Sequence, residues 1–338
     1  MKYPESLKIG DTIGICAPSC GIEPDKYEKL DKAEEALREM GYKVIETASV
    51  RQNIKGRSNT AEIRAKEFME LYENPDVKLI IFATGGDFLC ETFEYLDFDK
   101  IKSLPLKWMQ GYSDITGFEY LFNTLLNIPS IYCQTIKDYA MKPLFRNLKD
   151  ALRIASGEEI VQESFELCEK MGTEEEIENY QYNLTEKVEW KNLNDEEEIK
   201  IEGTILGGCL DIIITLVGTK YDNVKNYINK TDGVIWYFDI FEMSTPMIYR
   251  SLWQLKNAGY FEKCNGIILG RPLFVREDYD ISYKEAYKDV LKDLQIPVIY
   301  DADIGHVAPQ MALVNGSYAK ITSKNGKGKI ENFLNKGE

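Results

Sequence analysis

Histidine is almost missing from this chain: 338 residues contain one, His306. If any step here needs an imidazole, His306 must supply it. Positive charge is also short. Lys plus Arg number 41 against 56 Asp plus Glu, a formal net charge of -15, and no basic stretch is interleaved with aromatics. Such a chain repels nucleic acid and anionic membrane surfaces, so neither is expected as a partner. Long apolar runs are lacking as well. None approaches the ~20 residues that span a bilayer, and MKYPESLKIGDTIGICAPSCG has no apolar core after its first lysine. The expected location is the cytoplasm.

Cysteines are few, odd in number and scattered: Cys16, Cys20, Cys90, Cys133, Cys168, Cys209 and Cys264. Several sit in apolar runs such as IGICA and LGGCL, the pattern of reduced core thiols. Cys16 and Cys20 have no second pair and no nearby histidine, so no structural metal is expected there.

Hydrophobic residues make up 44% of the chain, enough for a real core, and the length suggests two domains. The first half alternates apolar runs of strand length with helical patterns. Strands are expected at TIGICA (12–17), KVIETA (43–48), VKLIIFA (77–83), LKWMQ (106–110) and PSIYC (129–133). Helices are expected at 28–41, 61–74 and 114–127. That rhythm implies a mostly parallel sheet covered on both faces. From about residue 157 to 202 the rhythm breaks into polar filler with acidic runs at 174–176 and 196–198. This segment contributes little to a core on its composition and reads as a linker and insertion. Beyond it come EGTILGG, a helix over 209–218, the strand GVIWYF, a helix through IYRSLWQLKNAG, the strand GIILG, a helix near 283–294 and short strands. The expected fold class is therefore α/β with two domains: an N-terminal domain at 1–157 with a mostly parallel, helix-flanked sheet, an acidic linker at 158–202, and a C-terminal α/β domain at 203–338 richer in short strands.

Three stretches could carry chemistry. In MQGYSDITGF (109–118) an apolar strand ends at Gly111, Ser113 occupies the turn, and a helix follows. A serine in a tight strand-to-helix turn exposes its hydroxyl beside amides able to hold an oxyanion. On spacing alone, capping by Ser113 or Asp114 is the commoner use of such a turn. In IFATGGDFLCETF (81–93) a strand runs into Gly85 and Gly86, leaving main-chain amides at a sheet edge; this is either a tight turn or an anion cradle. The third is His306 in DADIGHVAPQ. A serine–histidine pair wants a carboxylate to fix the imidazole tautomer. GVIWYFDIFEMS offers Asp239 at the end of an apolar run, with Glu242 three residues on. A carboxylate there is costly unless paired, although a strand-end aspartate that merely starts a turn is as common.

Taken together, TGGDFLCETFEYLDFDKI, GYSDITGF, EGTILGGCLDIIITLVGT and ADIGHVAPQMALVNGSYAKI, in this order, resemble the LD-carboxypeptidase family. That family comprises serine peptidases such as muramoyltetrapeptide carboxypeptidases and microcin immunity peptidases. The resemblance covers nearly the whole chain. It implies Ser113 as nucleophile, His306 as general base, and N–H groups near Gly85, Gly86 and Asp114 as the oxyanion hole. Asp239 falls where the family has glutamate; using Glu242 instead would shift the strand by three residues. Thr84 replaces the usual arginine before Gly-Gly. The resemblance further implies a small peptide or peptidyl-nucleotide substrate, no metal or organic cofactor, and a homodimer. Two rivals remain: a weakened binding protein on the same fold, and an unrelated enzyme such as a glutamine amidotransferase. The latter would want a cysteine in the strand-to-helix turn, where this chain has serine.

Overall fold

The computed structural model describes residues 1–173 and 176–334, so Glu174 and Glu175 of the first acidic run, and the last four residues of the expected C-terminal domain, lie outside the described residues. The chain divides into two compact units, Met1–Glu158 with Ile177–Gln181 and Glu159–Glu176 with Tyr182–Glu338.

In the first unit the elements are β1 (Thr12–Cys16), α1 (Tyr27–Glu39), β2 (Lys43–Glu46), α2 (Ala61–Glu73), β3 (Val77–Phe82), α3 (Phe98–Ser103), β4 (Trp108–Gly111), α4 (Thr116–Leu126), β5 (Ser130–Tyr132) and α5 (Arg146–Ala155). The strands lie in the order β5, β4, β3, β1, β2, all parallel. Parallel strands covered on both faces read as unbroken apolar runs, and β1 is buried at every position. Phe118 of α4 packs on Phe68 of α2 with ring centroids 4.9 Å apart, and on Phe122 at 5.3 Å. Each such ring removed from water stabilises by roughly 1.5–3 kcal/mol, which fixes α4 against the sheet edge that precedes it.

One residue of α4 resists this burial. Glu119 is fully buried, and burial pushes its carboxyl well above the usual carboxylate range, with only the Gly111 main chain opposing. The unfolded chain ionises this group at lower pH than the folded one. Its contribution to stability is therefore present below the unfolded value and is lost as pH rises toward the raised folded value. Glu119→Gln removes that loss. Its Tm advantage over the parent is expected to widen between about pH 5 and about pH 8; thermal melts giving the same difference at both would contradict this.

The second unit holds β6 (Val161–Glu163), β7 (Leu167–Cys168), β8 (Glu186–Lys187), β9 (Lys191–Asn192), β10 (Glu198–Cys209), α6 (Leu210–Leu216), α7 (Val224–Ile228), β11 (Val234–Asp239), α8 (Thr245–Asn257), β12 (Cys264–Gly270), α9 (Tyr283–Leu291), β13 (Val298–Ala302), β14 (Leu313–Asn315), β15 (Tyr318–Lys324) and β16 (Lys327–Phe333). Its sheet runs β6, β16, β15, β10, β11, β12, β13, β9, with a parallel centre from β10 to β13 and antiparallel flanks. The fold is thus α/β, a mostly parallel sheet followed by a second, strand-rich unit. Ser244 caps α8 by accepting from the Met247 N–H, and Ser282 with Glu285 forms a capping box on α9.

The segment expected to be a core-poor linker is corrected here. It supplies β6 to β9 and buries Ile160, Phe165, Trp190 and Leu193, while Ile177–Gln181 joins the first unit. Its anchors are large apolar residues scattered among polar and charged ones, so composition averaged over a window conceals them. Among the described residues no helix is long and apolar enough to cross a membrane.

Candidate active site

The first unit builds the serine turn. After β4 the chain stays extended at Tyr112, with φ -157°, and then turns through Ser113 at φ +63° before α4 begins. A serine held in the left-handed region costs on the order of 1–3 kcal/mol and persists where the surroundings over-determine it. Here the Ser113 N–H donates to the Tyr132 hydroxyl at the end of β5, at 3.3 Å. Neither Ser113 nor Asp114 caps α4. Asp114 instead accepts from the Ser19 hydroxyl at 2.5 Å and the Leu89 N–H at 3.0 Å, tying the turn to the segments that follow β1 and β3.

Gly85 lies directly against this turn. A Cβ there would stand 2.9 Å from both Cβ and Oγ of Ser113 and 3.5 Å from the Asp114 nitrogen, so the close approach requires glycine. Gly86 follows against Ser19 and Cys20. Lys137 donates to the Thr84 hydroxyl at 3.3 Å, placing a cation one residue before the Gly-Gly step. Ser113, Gly85, Gly86 and Asp114 therefore form one neighbourhood.

The second unit builds an acid–imidazole pair. β11 is buried along its whole length and ends at Asp239, which is 0% exposed. His306 Nδ1 lies 2.8 Å from Asp239 Oδ2, and the His306 main-chain N–H donates to Oδ1 at 3.3 Å. One residue thus engages both carboxylate oxygens, which answers the cost of burying them. The imidazole stacks on Phe241 with centroids 4.3 Å apart. Glu242 is exposed, unlike Asp239.

Gly305 makes the approach possible. It has φ +92°, and a Cβ would fall 2.0 Å from Asp239 Oδ1. Gly305→Ala is expected to destabilise the protein by about 1–3 kcal/mol and to displace the imidazole. Thermal melts and the rate of covalent serine labelling check this; an alanine variant with both unchanged would contradict the placement.

Sequence reasoning missed what holds the histidine loop. Arg271, at the end of β12, pairs with buried Asp303 at 2.5 Å and donates to the carbonyls of Val307 at 3.2 Å and Pro309 at 3.0 Å. Asp303 also accepts from the Trp190 indole at 3.0 Å and the Phe165 N–H at 3.1 Å. The available signal was an arginine closing the apolar strand GIILGR, a buried charge needing a partner just as Asp239 does. Cys209 was also passed over. It stands at the end of β10 in register with Asp239, and its thiol donates to Asp211 Oδ1 at 2.8 Å. Burial raises the Asp211 carboxyl, the Cys209 hydrogen bond opposes this, and the Asp239 charge adds to the rise.

Comparison with known proteins decides the family. Residues 13–133 match the LD-carboxypeptidase N-terminal domain and residues 202–321 the LD-carboxypeptidase C-terminal domain. The chain belongs to the LD-carboxypeptidase family. It is 28% identical to the microcin C7 self-immunity protein of Escherichia coli, over 92% of this chain and 90% of that one. A solved structure of a microcin C7 self-immunity protein in complex with aspartyl sulfamoyl adenosine superposes with a TM-score of 0.81, at 23% identity over 99% of each chain. A muramoyltetrapeptide carboxypeptidase from Oxalobacter formigenes gives 0.75, at 23% identity over 95% of this chain and 98% of that one. Membership in a family of carboxypeptidases makes this LD-carboxypeptidase relative a hydrolase by kinship, and both solved structures share its fold.

Proposed function

We propose that this chain is a serine hydrolase that cleaves an amide between an L-configured centre and a terminal D-amino acid, as in a murein tetrapeptide. The observation that supports it most is the pairing of the chain's single imidazole with a fully buried carboxylate at 2.8 Å. A buried Asp–His pair of this kind fixes the Nδ1 proton toward the acid and leaves Nε2 as the basic nitrogen.

In this reading Ser113 Oγ attacks the scissile carbonyl as His306 Nε2 takes its proton. The carbonyl electrons move onto oxygen, where the N–H groups near Gly85, Gly86 and Asp114 stabilise the charge. Collapse of the tetrahedral intermediate breaks the C–N bond, and His306 returns the proton to the leaving amine. Water then enters by the same route, giving up a proton to His306 and releasing the acyl group from Ser113. Asp239 stabilises the imidazolium in both halves. The pairing of Ser113 with His306 rests on family membership; each half rests on the geometry of its own unit.

Aspartate in place of the family's glutamate does not starve the imidazole of its partner, since Gly305 brings the loop onto the shorter acid. That weakens the alternative of a binding protein with hydrolysis lost. A second substrate reading, hydrolysis of aminoacyl- or peptidyl-nucleotides, is favoured by the relative at 28% identity and by the ligand named for its structural counterpart. Release of D-alanine from a murein tetrapeptide, measured beside release of free amino acid from an aminoacyl sulfamoyl adenosine, separates the two. Turnover of the tetrapeptide supports the first reading, turnover of the nucleotide alone supports the second, and binding of either without turnover returns the protein to the sequestering role. The first reading also places the protein in cytoplasmic peptidoglycan recycling, as a homodimer that sedimentation velocity would detect.

A further inference from the structure

We propose that Cys209, Asp239 and His306 form a binding site for a thiophilic divalent cation of the zinc or cadmium class, and that its occupancy disables the His306 base. Among the described residues these three make the one cluster with metal-ligand spacing, each offering a donor atom, all within 4.8 Å of one another. A tetrahedral zinc ion with bonds near 2.0–2.3 Å sets its donors roughly 3.5 Å apart, so the cluster needs only small shifts to close on an ion.

The donor types select the ion. One thiol, one imidazole and one carboxylate suit zinc, cadmium or cobalt; magnesium and calcium prefer all-oxygen shells. The shell is also held in place before any ion arrives. Cys209 and Asp239 are register partners on adjacent parallel strands. The His306 loop is fastened by Arg271 and Asp303 at its base. Cys209 is 1% exposed, Asp239 0% and the His306 side chain 7%, so the donors sit in a low-dielectric setting that strengthens coordination. Binding releases the thiol proton to solvent, and the fourth tetrahedral position falls to water.

The thiol has no part in acyl transfer, which is why the site adds something to the fold. Coordination through Nδ1 forces the remaining ring proton onto Nε2, and coordination through Nε2 occupies that nitrogen outright. Either way the imidazole has no lone pair left for a serine proton. This inhibitory consequence rests on the serine-hydrolase reading, whereas the ion site itself does not.

The test uses the purified full chain and two readouts. Added cobalt is expected to give a near-ultraviolet sulfur-to-cobalt charge-transfer band, displaced by zinc and kept in Cys90→Ser, which removes the exposed thiol. Cys209→Ser is expected to lose that band and to bind cobalt at least about tenfold more weakly. Zinc is expected to raise the Tm of the parent and to slow its fluorophosphonate labelling at least about tenfold, but to slow Cys209→Ser far less relative to its own zinc-free rate. No band in the parent, a band undiminished in Cys209→Ser, or zinc-loaded protein that labels at full rate would each overturn the proposal. If the metal-free parent does not label at all, the hydrolase reading fails, and the cobalt band and zinc-dependent Tm still decide the ion site.

Discussion

Alanine at Ser113 is expected to eliminate turnover, with kcat falling by on the order of 10⁶, the size of loss found when an activated serine nucleophile is removed elsewhere. Nothing else in the turn should move. Alanine meets the same left-handed conformation as serine, the main-chain N–H still reaches Tyr132, and Asp114 still receives Ser19 and Leu89. The variant should therefore melt with the parent and bind substrate as well as before. Steady-state kinetics beside a thermal melt checks this. A variant retaining more than about a thousandth of parental kcat would remove Ser113 from the chemistry, because that is about a thousandfold more than main-chain oxyanion donors and substrate binding leave once an activated serine is gone.

The second large effect is expected at Asp239. Asparagine there should lower kcat by about 10⁴ through the tautomer of His306 rather than through its position. The His306 main-chain N–H approaches one carboxylate oxygen and Nδ1 the other. An asparagine that keeps its oxygen toward the main-chain donor presents its NH₂ to Nδ1. That nitrogen must then accept, and the ring proton moves to Nε2, where it blocks proton abstraction. Glu242→Gln is the contrast: an exposed side chain outside the pairing, with kcat expected to stay within about twofold of the parent. Equal losses in the two variants, or loss in Glu242→Gln alone, would reassign the acid.

Much of this arrangement was legible in the sequence because the signals were local. β3 and β11 announce themselves as unbroken apolar runs, since a parallel strand buried on both faces has no polar side to show. The turn at Ser113 was recognisable from a strand ending in glycine before a helix. Its left-handed φ was not, because that conformation is imposed by Tyr132, Gly85 and Leu89 from other segments. His306 stood out by being alone, and the aspartate ending GVIWYF was a charge in want of a partner.

What stayed hidden depends on distance along the chain. Arg271 and Asp303 are 32 residues apart, and only the adjacency of β12 and β13 brings them together. Cys209 and Asp239 are 30 residues apart in sequence and register partners in the sheet, a relation set by parallel pairing and invisible to periodicity. The segment from 158 to 202 misled for a different reason. Strands of two or three residues are too short to show alternation, and the buried Trp190 lies between Glu189 and Lys191.

The most direct measurement of the central claim is to treat the parent protein and His306→Ala with a fluorophosphonate and locate the adduct by peptide mass spectrometry. The expected result is a single adduct on Ser113 in the parent, formed at least about a thousandfold more slowly when the imidazole is gone. No adduct, an adduct on another residue, or Ser113 labelling at an undiminished rate in His306→Ala would contradict it.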